Sequence, residues 1–277
     1  ETIKNFKIGY VRKNLSLFGN LENKFGKKAV KECGIFYFDE KKNTYIDRFR
    51  DRVIFPINSI SGSPIAIGGR IMEKNSFFAK YINSPETQFF KKGNNLYNID
   101  KARILSNKLN QIFLVEGYMD VIGLNNNGIS NCVANLGTAL TEKQIKILNQ
   151  FFDEIVICFD GDESGYKAAV RAAENSVREL QPEKQISFLF LPEDEDPDTF
   201  ISKNGKEKFL KYYETNKILI HEFIFENLKK QSNNSPTSLA ILEKKLRFLS
   251  NSIKDQYIKK YILDFFLGKI SQLTPNL

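Results

Sequence analysis

Ile112-Phe113-Leu114-Val115 runs into Glu116-Gly117-Tyr118-Met119-Asp120, and further along Ile155-Val156-Ile157-Cys158-Phe159 runs into Asp160-Gly161-Asp162. Each begins as the short apolar run of a buried strand and ends in carboxylates. In an open α/β sheet, ligands and catalytic groups gather outside the carboxyl ends of parallel strands, so two such strands side by side bring Glu116, Asp160 and Asp162 together. Carboxylates so crowded repel one another unless a cation neutralises them, and all-oxygen ligation selects Mg²⁺ or Mn²⁺ over zinc. Taken singly, an acid after a strand is more often a helix cap, and Asp-Gly-Asp is also good turn chemistry. A third run, Ile186 to Leu191, leads into Glu193-Asp194-Glu195-Asp196-Pro197-Asp198 in the same way, and the repetition favours a metal site.

Around these runs the pattern alternates. Strands are expected over 112–115, 130–134, 155–159 and 186–191, and helices after Asp120 and over 141–152 and 164–180. This order implies a mainly parallel sheet. Thr141 with Gln144 reads as a capping box, and Asp162-Glu163 falls at the positive N-terminus of the next helix. Residues 206–277 show only helical patterns, broken at Ser232-Asn233-Asn234-Ser235-Pro236. The first third mixes short strands (Val53 to Ile57, Pro64 to Ile67) with a helix expected over Leu21 to Cys33. The chain therefore divides into a basic α/β segment (1–105), a strand-helix segment (106–204) and a helical segment (205–277).

Composition narrows the function. Residues 1–110 hold 21 Lys/Arg against 10 Asp/Glu, whereas the remainder holds 20 against 23, so the net charge of +8 belongs to the first third. A positive segment joined to an acidic metal site suits a polyanion whose backbone is held by Lys/Arg while its reacting phosphates meet the metal. Arg48, Arg50 and Arg52 alternate, which on a strand places all three on one face. No stretch approaches twenty uncharged apolar residues, so no membrane span is expected. The polar start, without an initiator Met, suggests a piece of a longer chain and holds no signal peptide. Cys33, Cys132 and Cys158 lack metal-ligand spacing and read as reduced, buried and structural. The sole histidine, His221, reads as a helix-surface residue, which removes histidine-based catalysis and zinc binding. Most of the 24 Phe and 11 Tyr sit in core patterns rather than on base-stacking platforms.

Glu116-Gly117-Tyr118-Met119-Asp120, Asp160-Gly161-Asp162 and Asp196-Pro197-Asp198 resemble the three acidic motifs of the TOPRIM domain in the form found in bacterial DnaG-type primases. The resemblance extends to Asp47-Arg48-Phe49-Arg50-Asp51-Arg52 with Phe55-Pro56-Ile57, to Gly68-Gly69-Arg70, to Lys80-Tyr81-Ile82-Asn83-Ser84-Pro85-Glu86-Thr87, to Phe90-Lys91-Lys92-Gly93 and to Asn135-Leu136-Gly137-Thr138-Ala139-Leu140-Thr141, in order, from about residue 6 to about residue 205. It implies a Rossmann-like TOPRIM sheet between a basic α/β subdomain and a helical subdomain. It also implies synthesis of short RNA primers on single-stranded DNA from ribonucleoside triphosphates, with two or more Mg²⁺ (or Mn²⁺) ions held among Glu116, Asp160, Asp162, Asp120, Asp196 and Asp198. Individual ligands stay unassigned among these acids, and Glu116 is alternatively a general base.

In the family the matching Arg70, Lys80 and Lys92 belong to a basic active-site cleft, so these residues, Asn83 of the same motif, and Arg48, Arg50 and Arg52 are expected to contact template or nucleotide. Members usually carry a zinc-binding module before this core and a helicase-docking domain after it. Neither is visible here, so Zn²⁺ and the replicative helicase are partners of a longer parent only. A cytoplasmic, replisomal setting follows, with organellar origin left open. The competing readings are a TOPRIM-type nuclease and a non-enzymatic DNA-clamping repair module.

Overall fold

The computed structural model describes residues 1–73 and 77–273. It divides into two compact units, Glu1–Lys101 and the chain from Ala102 onward. Of the helical segment expected to the end of the chain, 274–277 lie outside the described residues.

In the first unit, α1 (Thr2–Asn5) precedes β1 (Gly9–Val11), followed by α2 (Phe18–Phe25), α3 (Lys27–Glu32), a ribbon of β2 (Phe36–Asp39) and β3 (Thr44–Asp47), and then β4 (Arg52–Asn58), β5 (Pro64–Ile71) and β6 (Tyr81–Asn83). β1, β4, β5 and β6 form an antiparallel sheet in the order β1-β4-β5-β6. Its core is made by the apolar run of β4, where Ile54, Phe55 and Ile57 are buried. Phe18 opens α2 and packs on the ribbon, stacking on Tyr45 and meeting Phe36 edge-on. The single helix expected over Leu21 to Cys33 is two helices. Gly26 separates them with φ +82°, a conformation that few other residues adopt. Cys33 caps α3 and is exposed, contrary to the expectation of burial.

The arginine alternation also resolves differently. β3 ends at Asp47, whose carboxylate accepts the Leu17 N–H, and residues 48–51 form a turn in which Asp51 takes φ +58°. Arg48 and Arg50 therefore sit in a turn and share no strand face with Arg52. Arg52 is buried at the start of β4, where its guanidinium donates to the carbonyls of Gly69 and Lys80 at 3.3 and 3.2 Å. Removing it takes a charged donor from two carbonyls, of which Lys80's keeps the Ile71 N–H, so Arg52→Ala is expected to cost about 2 kcal/mol in urea unfolding, whereas Arg50→Ala, at an exposed turn position, leaves the midpoint unchanged. Equal midpoints for both variants would refute a structural role for Arg52.

α4 (Ile99–Ala102) spans the change from the first unit to the second. The second unit continues with β7 (Gln111–Val115), α5 (Tyr118–Asn126), β8 (Cys132–Ala134), α6 (Glu142–Asn149), β9 (Glu154–Gly161), α7 (Glu163–Ser176), β10 (Gln185–Glu193), α8 (Pro197–Asn216), β11 (Ile218–Leu219), α9 (Ile220–Lys229), α10 (Pro236–Ser252) and α11 (Gln256–Ser271). β8, β7, β9 and β10 are parallel neighbours in that order, and β11 adds antiparallel to the β10 edge. The stretch after 206 is thus not helical throughout, because Ile218 pairs with Phe188 to close the sheet edge.

The strands β7 (Ile112 to Val115) and β9 (Ile155 to Phe159) are buried, as continuous apolar runs covered on both faces should be. Right-handed crossovers in opposite directions put α5 on one face and α6 and α7 on the other. Phe113 meets Phe209 and Tyr213 of α8, while Phe188 and Phe190 meet Phe223 of α9. The Thr141–Gln144 capping box forms as expected. Lys254, between α10 and α11, pairs with Glu142 and with the buried Glu179. His221 is half-buried edge-on against Phe265 rather than at the surface, and burial lowers its pKa.

Candidate active site

The register carries the acids to one end of the sheet. Leu114 of β7 lies beside Ile157 of β9, and Phe159 and Gly161 of β9 lie beside Phe190 and Glu193 of β10. Chain order reverses between β7 and β9, the switch point at which open α/β sheets bind ligands. Glu116 follows β7 directly, which sets its carboxylate close to Asp160 and Asp162. Helix α5 starts before Asp120 rather than after it, because the Asp120 carboxylate accepts the Gly117 N–H at 2.9 Å and so falls within the first turn. Asp162 caps α7 by accepting the Gly165 N–H at 2.7 Å, and Asp196 caps α8 by accepting the Thr199 N–H at 2.7 Å. Three acids thereby sit at positive helix ends. Asp198, in the first turn of α8, packs against Gly123 of α5.

Gly161 makes the third acidic segment part of this group. Its N–H donates to the Glu195 carbonyl at 3.1 Å, folding the loop after β10 back against β9. A side chain there would put Cβ 1.9 Å from the Pro192 carbonyl oxygen.

The carboxylates perturb one another. Burial first, then the charges of Asp160 and Asp196, push Asp120 up to about 7. Burial and the charges of Glu116, Asp196 and Asp162 push Asp160 to about 7 as well. Glu116 is raised by desolvation and by Asp162. Asp160 Oδ1 is buried and accepts no hydrogen bond. Among the described residues, no three His, Cys, Asp or Glu side chains close tightly around a single point, so the acids are gathered at the sheet end without forming a finished cage. An orphaned carboxylate oxygen amid mutually raised acids is nonetheless the donor set that a hard, oxygen-seeking divalent cation fits.

These shifts set a pH dependence for folding. A carboxyl whose pKa is about 7 folded and near 3.8 unfolded retains its proton in the folded state between those values, so stability falls as pH rises through that window and levels off above it. For the buried Asp120 the cost of ionisation is on the order of a few kcal/mol. Glu142 acts oppositely: its carboxylate, held down to about 2 by Lys254 and Arg178, stabilises above its ordinary range and loses that contribution in acid. Thermal scans in a chelator should therefore show Tm falling from pH 5 to pH 8, with Mg²⁺ restoring Tm at pH 8 and adding little at pH 5. A Tm that rises over this range counts against the crowded site.

The candidate phosphate-binding residues of the first unit are placed separately. Arg70 on β5 and Lys80 just before β6 both lie over the ring of Tyr81, at 5.7 and 5.9 Å, and Asn83 ends β6 opposite Gly68. This clusters Arg70, Lys80 and Asn83 along the β5–β6 edge. Lys92 opens a short 3₁₀ turn, its backbone N–H donating to Glu86. Arg48 sits over Tyr37 at 5.7 Å. Nothing in the sequence marks Gly161 as the hinge of the acid cluster, because a lone glycine in a turn motif gives no sign of which backbone it must approach. Nor does any motif mark Tyr166 of α7, Asn227 of α9 or Lys230 at the C-cap of α9, which line a pocket beside Asp160 and Asp162.

The parallel sheet with its acids at the switch point defines a Toprim-like fold. Residues 1–103 match the family described as DNA primase catalytic core, N-terminal domain, and residues 110–190 match the Toprim domain. A DNA primase of Haemophilus influenzae is 39% identical over 236 residues, covering 83% of this chain and 39% of the relative. A crystal structure of a DNA primase domain from Pseudomonas aeruginosa superposes with a TM-score of 0.88 at 36% identity, covering 98% of this chain and 84% of that one. A DnaG primase catalytic domain bound to ssDNA superposes with a TM-score of 0.87 at 32% identity, covering 99% and 85%. The chain belongs to the DnaG-type DNA primase catalytic core family. It spans about two-fifths or less of the length of the first curated relatives it matches.

Proposed function

We propose that this chain is the RNA-polymerising core of a DNA primase, joining ribonucleoside triphosphates into a short primer on single-stranded DNA. The gathering of Glu116, Asp120, Asp160, Asp162 and Asp196 at the switch point, with two of them raised to about 7, carries this reading. The related catalytic domain bound to ssDNA supports the choice of template. Toprim domains in primases generally bind Mg²⁺, and Glu116, Asp160 and Asp162 are the primary ligands here, with Asp120, Asp196 and Asp198 completing the set. Bound divalent ions supply Lewis-acid polarisation of phosphoryl oxygens and neutralise developing charge.

The chain's own contribution is placement. Asp162 and Asp196 each commit an oxygen to a helix cap, which fixes their direction, while Asp160 keeps Oδ1 free of other bonds. Glu116 is either a ligand or the base that takes the proton of the attacking 3′-hydroxyl. Arg70, Lys80, Asn83 and Lys92, with Arg48 and Arg50, contact template or triphosphate; Arg52 serves the sheet. In this reading the protein is cytoplasmic.

The test is incorporation of labelled ribonucleotides on single-stranded DNA with Mg²⁺ or Mn²⁺. Template-dependent RNA supports the assignment, with activity falling roughly tenfold or more between 50 and 200 mM salt if several phosphates are held. Cleaved DNA in place of RNA points to a nuclease, and bound DNA with neither product points to a clamp.

A further inference from the structure

The end of β9 also opens sideways. Asp160 and Asp162 form one wall of a 410 Å³ pocket between the start of α7, the end of β10 and α9, within the size range of small-molecule sites. Its inner surface is aromatic. Tyr166, Phe190 and Phe223 lie with ring centroids 5.6–5.9 Å apart. At the rim the Tyr166 hydroxyl donates to Asn227 Oδ1 at 2.8 Å, which fixes the Asn227 amide, and the Lys230 ammonium lies 5.0 Å from the Tyr166 ring centre. Among the described residues Lys230 makes no ion pair; the one hydrogen bond of its ammonium is a long one to the Tyr166 hydroxyl.

The pocket therefore offers an aromatic wall of rings tilted 30–63° to one another, an amide and an ammonium as donors, the Glu226 carboxylate as an acceptor, and direct continuity with the candidate cation site. The ligand with matching parts has an aromatic body that accepts hydrogen bonds and a phosphate tail that reaches the carboxylates through cations. We propose that this pocket is an entry site for the nucleoside part of the incoming ribonucleoside triphosphate, held before its base pairs with the template. The proposal rests on the primer-synthesis reading. Stacking on aromatic side chains accepts any base, as an entry site must when the template chooses the nucleotide. The donors Lys230 and Asn227 are left for ring nitrogens, carbonyls or ribose hydroxyls.

Two variants test the pocket: Asn227→Trp, which fills it, and the exposed Lys230→Glu, which reverses its charge without touching the core. The first readout needs no catalysis. Saturation-transfer NMR with adenosine and with uridine, without divalent ions, should show transfer to the base protons from the native chain and its loss in Asn227→Trp. In primer synthesis, KM for all four triphosphates should rise about tenfold in both variants, with kcat and the affinity for single-stranded DNA within about twofold of native. Absence of transfer to the native chain overturns the proposal, as does a KM unmoved in both variants. A native chain that makes no RNA defeats the primer-synthesis reading instead, and the nucleoside experiment then still decides whether the pocket binds a nucleoside. Weakened DNA affinity at unchanged KM assigns the pocket to template and overturns the proposal.

Discussion

Asp160→Asn is expected to lower template-directed RNA synthesis roughly a thousandfold or more while leaving the fold as stable as the native chain, or more so, at pH 8 without divalent ions. The two effects have one cause. Asp160 is raised to about 7 by burial and by three neighbouring carboxylates, so its charge opposes folding when no cation is present. The same charge, on an oxygen with no hydrogen bond, is what the proposed site offers to Mg²⁺. An amide of equal size removes the repulsion and the ligand together. Paired measurements of primer synthesis and thermal unfolding in a chelator check this. Near-native synthesis by the variant refutes the metal-site proposal, and a marked loss of stability refutes the crowding argument.

Gly161→Ala should behave in the opposite way, losing the fold and the activity together. The added Cβ meets the Pro192 carbonyl oxygen at 1.9 Å, its carbon at 2.5 Å and the Leu191 carbonyl oxygen at 2.7 Å. All three are backbone atoms of the neighbouring strand, so no side-chain rotation relieves the clash and the end of β10 must shift. The Gly161 N–H bond to Glu195 is strained by the same shift, and Asp196 leaves the group around Asp160. Overpacking of this kind costs about 3 kcal/mol or more. A urea midpoint close to native in Gly161→Ala would show that the β9–β10 end adapts, and that the Glu195 turn does not set the position of the acids.

Asp160 could be read directly because an apolar run ending in an acid states both its strand and its chemistry. Gly161 could not, because its importance lies in how close Pro192 comes. The pattern places the helix after Asp120, yet it begins at Tyr118, because the Asp120 side chain turns back to the Gly117 N–H. The arginine alternation at 48, 50 and 52 looked like a strand face, and a turn at 48–51 with Asp51 at positive φ scatters it, burying Arg52 on two carbonyls. Ile218-Leu219 lies in a stretch of helical pattern, and the open edge of β10 draws it into the sheet.

What the sequence determined by itself is the parallel α/β layout of the second unit and the placing of its acids after its strands. Local hydrophobic period and capping chemistry dictate those features without reference to distant residues. Tertiary structure decided which strands are neighbours, hence that Glu116, Asp160, Asp162 and Asp196 share one sheet end and shift one another's pKa values. It also decided which arginine is structural, and that Tyr166, Asn227 and Lys230 line a pocket beside the acids. Those outcomes depend on side chains far apart in the chain meeting at short range, where burial and Coulomb forces act over a few ångströms and leave no period or motif along the chain.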